Sequence, residues 1–140
     1  MEIIANAVQT VAANQNVYFT DSVTSGNYSI EHRDGSGLVT LRGVTNTQCR
    51  ARFRIHFGAN IAIPTGGTVE EISIALTIDG EPLGSTLMIE TPAAVEEFSN
   101  VFSAVYIAVP RGCCVTVGVR NTSAQAINVQ NANLIVERVA

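Results

Sequence analysis

The stretch Arg50-Ala51-Arg52-Phe53-Arg54-Ile55-His56-Phe57 decides the fold class. Ala51, Phe53, Ile55 and Phe57 alternate with Arg50, Arg52, Arg54 and His56. Side chains on a β-strand point to opposite faces in turn, so this run predicts a strand with one face in a core and one face polar. An α-helix would scatter the same residues around its circumference.

Working outward, period-two runs recur between turn signals. Asn16–Phe19 and Asn27–Ile30 are short strand candidates, split by Ser22–Gly26. Asp34-Gly35-Ser36-Gly37 predicts a hairpin joining Tyr28–His32 to Leu38–Leu41, because glycine reaches positive φ without steric cost. Pro64-Thr65-Gly66-Gly67 breaks the chain after the arginine strand. Ile72, Ile74, Leu76 and Ile78 then alternate with smaller residues up to an Asp79-Gly80 turn, with a return strand at Leu83–Glu90. Thr91–Glu97 reads as a loop or one helical turn. Asn100–Val109 is apolar on both faces, which predicts a central strand covered by the second sheet or by a neighbouring subunit. Pro110-Arg111-Gly112 is a turn, Val115–Arg120 another strand, and Ala126–Val139 a long closing strand after the Asn121–Gln125 loop. The expectation is an all-β, antiparallel jelly-roll sandwich of about 8–10 strands.

The chain has 140 residues, enough for one proper core, and no linker divides it, so residues 1–140 are expected to form one domain. Residues 1–12 are set apart as a possible N-terminal arm or anchoring strand. Charged residues make up 14%, against about 25% in ordinary soluble domains; Asn, Thr, Ser and Gly take their place. The net charge is −4, every cation is arginine and there is no lysine, which disfavours nucleic acid as a partner. No apolar run approaches the ~20 residues of a membrane-spanning helix, and no secretory signal is visible at Met1–Asn6. No membrane partner is therefore expected.

The order of these elements resembles the tumour-necrosis-factor-like jelly roll, the globular head of complement and collagen-like proteins. Carrying the resemblance are Val17-Tyr18-Phe19, the Asp34–Gly37 hairpin, Arg52–Phe57, Ile74-Ala75-Leu76-Thr77-Ile78-Asp79-Gly80-Glu81-Pro82, Phe102–Val109, Val115–Asn121 and Leu134–Arg138. Within that family it looks most like the heads of bacterial exosporium collagen-like glycoproteins and small virion proteins of phages infecting Firmicutes. The resemblance implies a ten-stranded head forming a homotrimer, with Asn100–Val109 and the closing strand nearest the threefold axis. The Gly-X-Y stalk usual before complement-type heads does not occur in this sequence.

Chemistry-bearing constellations are sparse. His32-Arg33-Asp34 copies the letters of a kinase catalytic loop without the strand lysine such a site needs. His32 and His56 are the only histidines, too few for a metal-binding jelly roll, and they read as surface or interface residues. Cys49, Cys113 and Cys114 lack zinc-site spacing; they read as buried or half-buried free thiols, with a Cys49 disulfide to one of the adjacent pair as the other option. The pairs Glu70-Glu71 and Glu96-Glu97 read as solvated charges. Hence no catalytic residue, metal or cofactor is assigned, and the protein is expected not to be an enzyme.

The Arg50/Arg52/Arg54 stripe is the feature that points to function. Either it lies on an exposed face paired with Glu70, Glu71, Glu90 or Glu137, or it contacts a subunit or an acidic ligand through its planar donor forks. Asn128, Gln130, Asn131 and Asn133 place amides within an apolar strand, as a polar layer at a symmetry axis or at an exposed edge would. The interface candidates are accordingly Arg50, Arg52, Arg54, Phe102, Tyr106, Asn131 and Asn133. Asn27-Tyr28-Ser29 and Asn121-Thr122-Ser123 match the glycosylation pattern but read as turn residues. The function expected is a structural, self-assembling protein: a homotrimer in a phage or prophage virion, as head decoration or fibre head, with a capsid or tail protein as a further partner. Its location would be the virion, or the producing bacterium's cytoplasm before assembly. The alternative is a carbohydrate- or receptor-binding module using the loops Ser22–Gly26, Thr91–Glu97 and Asn121–Gln125.

Overall fold

A computed structural model describes residues 1–24, 28–112 and 114–140. The arginine strand is the spine of one sheet and runs further than its first eight residues suggest. It spans Arg50–Ala62 (β6), because the alternation continues through Ala59 and Ile61. Phe53, Ile55, Phe57 and Ile61 are fully buried on its inner face.

Around β6 are ordered β1 (Glu2–Ala5), β2 (Gln9–Val11), β3 (Asp21–Thr24), β10 (Ser99–Pro110) and β12 (Ile127–Arg138). The first sheet runs β10-β6-β12-β1-β3, with β2 also on β12. The second sheet runs β4-β5-β11-β7-β8, with β9 also on β7. Its strands are β4 (Ile30–His32), β5 (Leu38–Arg42), β7 (Ile72–Ile78), β8 (Glu81–Pro82), β9 (Met88–Glu90) and β11 (Cys114–Asn121). All pairings are antiparallel among the described residues. The fold class is the all-β jelly-roll sandwich expected from the sequence.

The core lies between the sheets, where Phe19, Phe53 and Phe57 are its largest buried side chains. Phe19 meets Phe57 edge to face at 6.4 Å, the arrangement ring quadrupoles favour. Residues 1–12 contribute β1 and β2 to the first sheet and bury Ile3, Ala5 and Val11.

Two turns close as their chemistry dictates. The Asp34–Gly37 hairpin sets Ile30 against Leu41 and His32 against Val39. Asp79 and Gly80 adopt φ of 49° and 87°, the successive positive values a two-residue hairpin requires.

Several expectations need correction. Asn16–Phe19 is extended but forms no ladder: Asn16 makes an isolated bridge to Arg120, and the Val17 amide donates to Val119 O at 2.8 Å. The strand that follows lies at Asp21–Thr24, within the expected loop. Asn27, from the second strand candidate, lies outside the described residues, and the strand there begins at Ile30. The return from Asp79-Gly80 is not one strand. A 3-10 turn at Gly84–Thr86 divides β8 from β9, and the buried Thr86 hydroxyl accepts the Leu76 amide at 3.0 Å. Finally, β10 is an edge and not a central strand, pairing only with β6 among the described residues.

The closing strand contains a bulge that the sequence did not disclose. Ile127 and Val129 face inward, then Ala132, Leu134 and Val136 do so. Asn131, at φ 55°, is the extra residue that switches the phase, and the β6 register jumps between Gln130 and Asn133.

Candidate functional site

The outward face of the first sheet is built by three long strands in register. Tyr106 lies opposite Arg54, Ala108 opposite Arg52 and Pro110 opposite Arg50. From the other side of β6, Asn133 stands opposite Gly58, Ile135 opposite His56 and Glu137 opposite Arg54. β1 adds Ile4 beside Asn133 and Glu2 beside Ile135. The bulge at Asn131 is what turns Asn133, Ile135 and Glu137 outward.

This face brings together all seven candidates named from the sequence. Phe102 and Tyr106 are 61% and 65% exposed, unusually open for large aromatics. Phe102 lies opposite Gly58, so a ring can spread where β6 has no side chain. It leans on the His56 ring at 5.8 Å. Arg54 pairs with Glu137 at 3.3 Å, while Arg50 and Arg52 are exposed and make no ion pair among the described residues. Of the acidic partners considered, Glu137 alone engages the stripe among the described residues; Glu70 instead accepts from Gln125 at 3.1 Å. Buried nitrogens of Arg54 (Nε) and His56 (Nε2) have no hydrogen-bond partner among the described residues. Such groups are costly to leave unmatched.

At one end, amides form a ladder across three strands. Asn100 Nδ2 donates to Asn60 Oδ1 at 3.2 Å, and Asn60 Nδ2 to Asn131 Oδ1 at 3.3 Å. Asn131 Nδ2 reaches Asn6 O at 3.5 Å, and Asn133 donates to the Glu2 carboxylate. The chemistry this face offers is apolar, cationic, anionic and amide in adjacent patches. Ile4, Ile135 and Glu2 belong to it but were not singled out from the sequence, because their phase depends on the bulge and on the β1 pairing, whereas His56 stands on the polar face that the Arg50–Phe57 alternation already showed.

Elsewhere the structure reassigns several groups. The His32 side chain is buried and not at the surface. Its Nε2 lies 2.9 Å from Ser36 O, its Nδ1 3.8 Å from Asp34, and its ring meets Phe19 edge-on. Cys49 and Cys114 are exposed, against the expectation of burial, because they lie at strand ends beside turns; Cys113 lies outside the described residues. Arg42 is paired with Glu31 at 2.6 Å; the hydrogen bond and then the charge of that carboxylate raise its pKa still further above the ordinary value. Asn121 is fully buried, and its Nδ2 donates to Val11 O, Ala12 O and Gln125 O, so the folded chain offers no amide for a glycan there. Among the described residues no three His, Cys, Asp or Glu side chains cluster as metal ligands, and no helix is long and apolar enough to cross a membrane.

No protein-family model matches the sequence, and neither does any curated protein. Solved structures do align with it. The globular domain of zebrafish complement 1qA superposes with a TM-score of 0.68 at 12% identity, over 99% of this chain and 95% of that one. The Eiger TNF of S. frugiperda gives 0.68 at 12%, over 100% and 92%. The fold is that of the tumour-necrosis-factor and complement heads. A family 35 carbohydrate-binding module from Cellvibrio japonicus aligns only loosely, with a TM-score of 0.43 at 10% identity over 100% and 98%.

Proposed function

We propose that this protein is a non-enzymatic assembly unit that forms a homotrimer through the outward face of its first sheet. The observation that carries the reading is the exposure of Phe102 and Tyr106 on an edge strand whose inner face is packed. Large apolar side chains grouped on one surface mark an interaction site in soluble proteins. The surrounding charges are of both signs, with Arg50, Arg52 and Arg54 near Glu137 and Glu2, so the face can complement a rotated copy of itself. The homotrimer comes from the resemblance to TNF-like heads. Resemblance to phage virion proteins, and nothing else, supports a setting as head decoration or fibre head with a capsid or tail partner. Light scattering after gel filtration tests the assembly: a mass three times the 14.8 kDa chain is expected, and a clean monomer at micromolar concentration overturns the proposal. Capsid and tail genes beside its gene would support the virion setting.

A carbohydrate- or receptor-binding module is the second reading, and one observation favours it. Two of the loops first considered, Thr91–Glu97 and Asn121–Gln125, spend polar groups internally: Glu96 is held by Thr65 and Asn128, and Asn121 and Ser123 bond within the fold, while Ser25 and Gly26 of the third lie outside the described residues. A polar cavity on the second sheet, however, holds Arg120, which pairs with no carboxylate among the described residues.

A further inference from the structure

The cavity lies at a seam. Along β11, β5 pairs only as far as Leu38 opposite Gly118. Beyond that point the extended segment 14–19 takes its place, with Asn16 bridging Arg120 and the Val17 amide bonded to Val119 O. Between this segment and the Ser36–Leu38 turn opens a cavity of about 390 Å³, whose lining includes Asn14, Gln15, Asn16, Tyr18, Ser36 and Arg120.

Arg120 points outward from the second sheet, because Val119 and Asn121 on either side of it are buried. Its guanidinium extends toward the β7–β8 turn, where Nη2 would lie 3.9 Å from a Cβ at Gly80. Its Nε is buried and has no acceptor, and no carboxylate pairs with it among the described residues. A half-buried guanidinium that pairs with no carboxylate among the described residues leaves its terminal nitrogens for an anion. The rest of the lining narrows the ligand. Three neighbouring amide side chains offer both donors and acceptors, as sugar hydroxyls require. Tyr18 is 56% exposed, and its backbone is clamped from below by the Gln9 amide at 2.9 Å through both N and O. An aromatic ring held on a fixed backbone can stack on the C–H face of a pyranose.

We infer that this cavity binds a carboxylated sugar, a uronic-acid unit of an acidic glycan, with Arg120 receiving the carboxylate and Tyr18 the ring face. The groove continues: Ser36 and Leu38 also line a neighbouring hollow that contains Arg33 and Glu31, giving a chain of such units a further cation beside a carboxylate. The inference rests on the second reading above and not on assembly, since the cavity is on the sheet opposite the proposed trimer face.

The test is an NMR titration of the full chain with trigalacturonate, maltotriose and triglutamate. Trigalacturonate is expected to shift the Tyr18 and Arg120 amides saturably, with each of the other two binding at least tenfold more weakly. R120Q should weaken trigalacturonate binding at least tenfold. Y18A, at an exposed position that does not endanger the fold, should also weaken it. Equal binding of maltotriose at the same residues would overturn the acid preference while leaving a glycan-binding module standing. Equal binding of triglutamate would overturn the sugar. No saturable binding, or wild-type affinity in both R120Q and Y18A, would overturn the site altogether.

Discussion

The His56 ring stands 5.8 Å from that of Phe102, tilted by 53°, across the two strands that form one end of the first sheet. The contact occurs on the solvent side, not in the core, so it holds an aromatic upright on an open surface. Folding of the chain alone gains little from Phe102 at 61% exposure; a copy packing over it would gain much more.

Phe102→Asp therefore separates assembly from folding. Loss of a central aromatic anchor costs an interface about 2–4 kcal/mol, or roughly 30- to 1000-fold in affinity. If the proposed trimer forms through this face, the wild type should sediment as a trimer and the variant as a monomer at the same concentration, with an unchanged far-ultraviolet circular dichroism spectrum. A variant that remains trimeric would place the interface elsewhere.

Asn121 makes the opposite prediction, affecting stability and not association. Its side chain satisfies three backbone carbonyls and the Ser123 amide from a fully buried position. Alanine would leave several of those groups without partners, and each orphan costs about 1–3 kcal/mol. Urea denaturation of Asn121→Ala should show a loss of at least about 2 kcal/mol, with most of the effect retained in Asn121→Asp, whose carboxylate faces carbonyl oxygens. A loss below about 0.5 kcal/mol would mean that water replaces the amide.

How much of this was legible beforehand depended on the range of the interactions involved. The Arg50–Phe57 alternation disclosed its buried face because each residue carries its own signal. The Asp34–Gly37 and Asp79-Gly80 turns were legible because positive φ has a short list of tolerant residues. By contrast, the apolar outward face of Asn100–Val109 reads the same whether a second layer of the same chain or another molecule covers it. Only the pairing pattern shows it to be an edge. The Asn131 bulge was hidden for a related reason: a single inserted residue changes the phase of Asn133, Ile135 and Glu137 without altering composition. Arg120 looked like one more polar residue in a Val-rich strand, and the cavity beside it exists only because segment 14–19 runs alongside.

Core packing gives a third prediction. Phe19 lies in an extended segment without a ladder, yet it is fully buried against Phe57 and His32. Its contribution is therefore hydrophobic anchoring of a segment that regular strand pairing does not hold. Phe19→Ala should cost about 3–5 kcal/mol in urea denaturation. It should also speed amide hydrogen exchange at Val17 and Gly35, whose N–H groups are bonded to Val119 O and Phe19 O. Uniform protection across the molecule would contradict that local role.

The fourth prediction concerns the junction between the sheets, where loop 43–49 passes the end of β10. A Cβ at Gly43 would lie 2.0 Å from Pro110 O and 2.8 Å from its carbonyl carbon, while Gly43 O accepts the Gly112 amide at 3.2 Å. Both obstacles are backbone atoms that no rotamer change can move, and the hydrogen bond holds the two turns at that spacing. Gly43→Ala must then displace the Pro110–Gly112 turn, at a cost of at least about 2 kcal/mol. Gly84 provides the control, since a Cβ there meets no atom within 4 Å and its backbone does not need positive φ. Gly84→Ala should leave the thermal midpoint within about 2 °C or raise it slightly through the unfolded chain. Comparing the two melting curves isolates close backbone approach from the general effect of losing a glycine; equal midpoints would show that the turns are not held together as described.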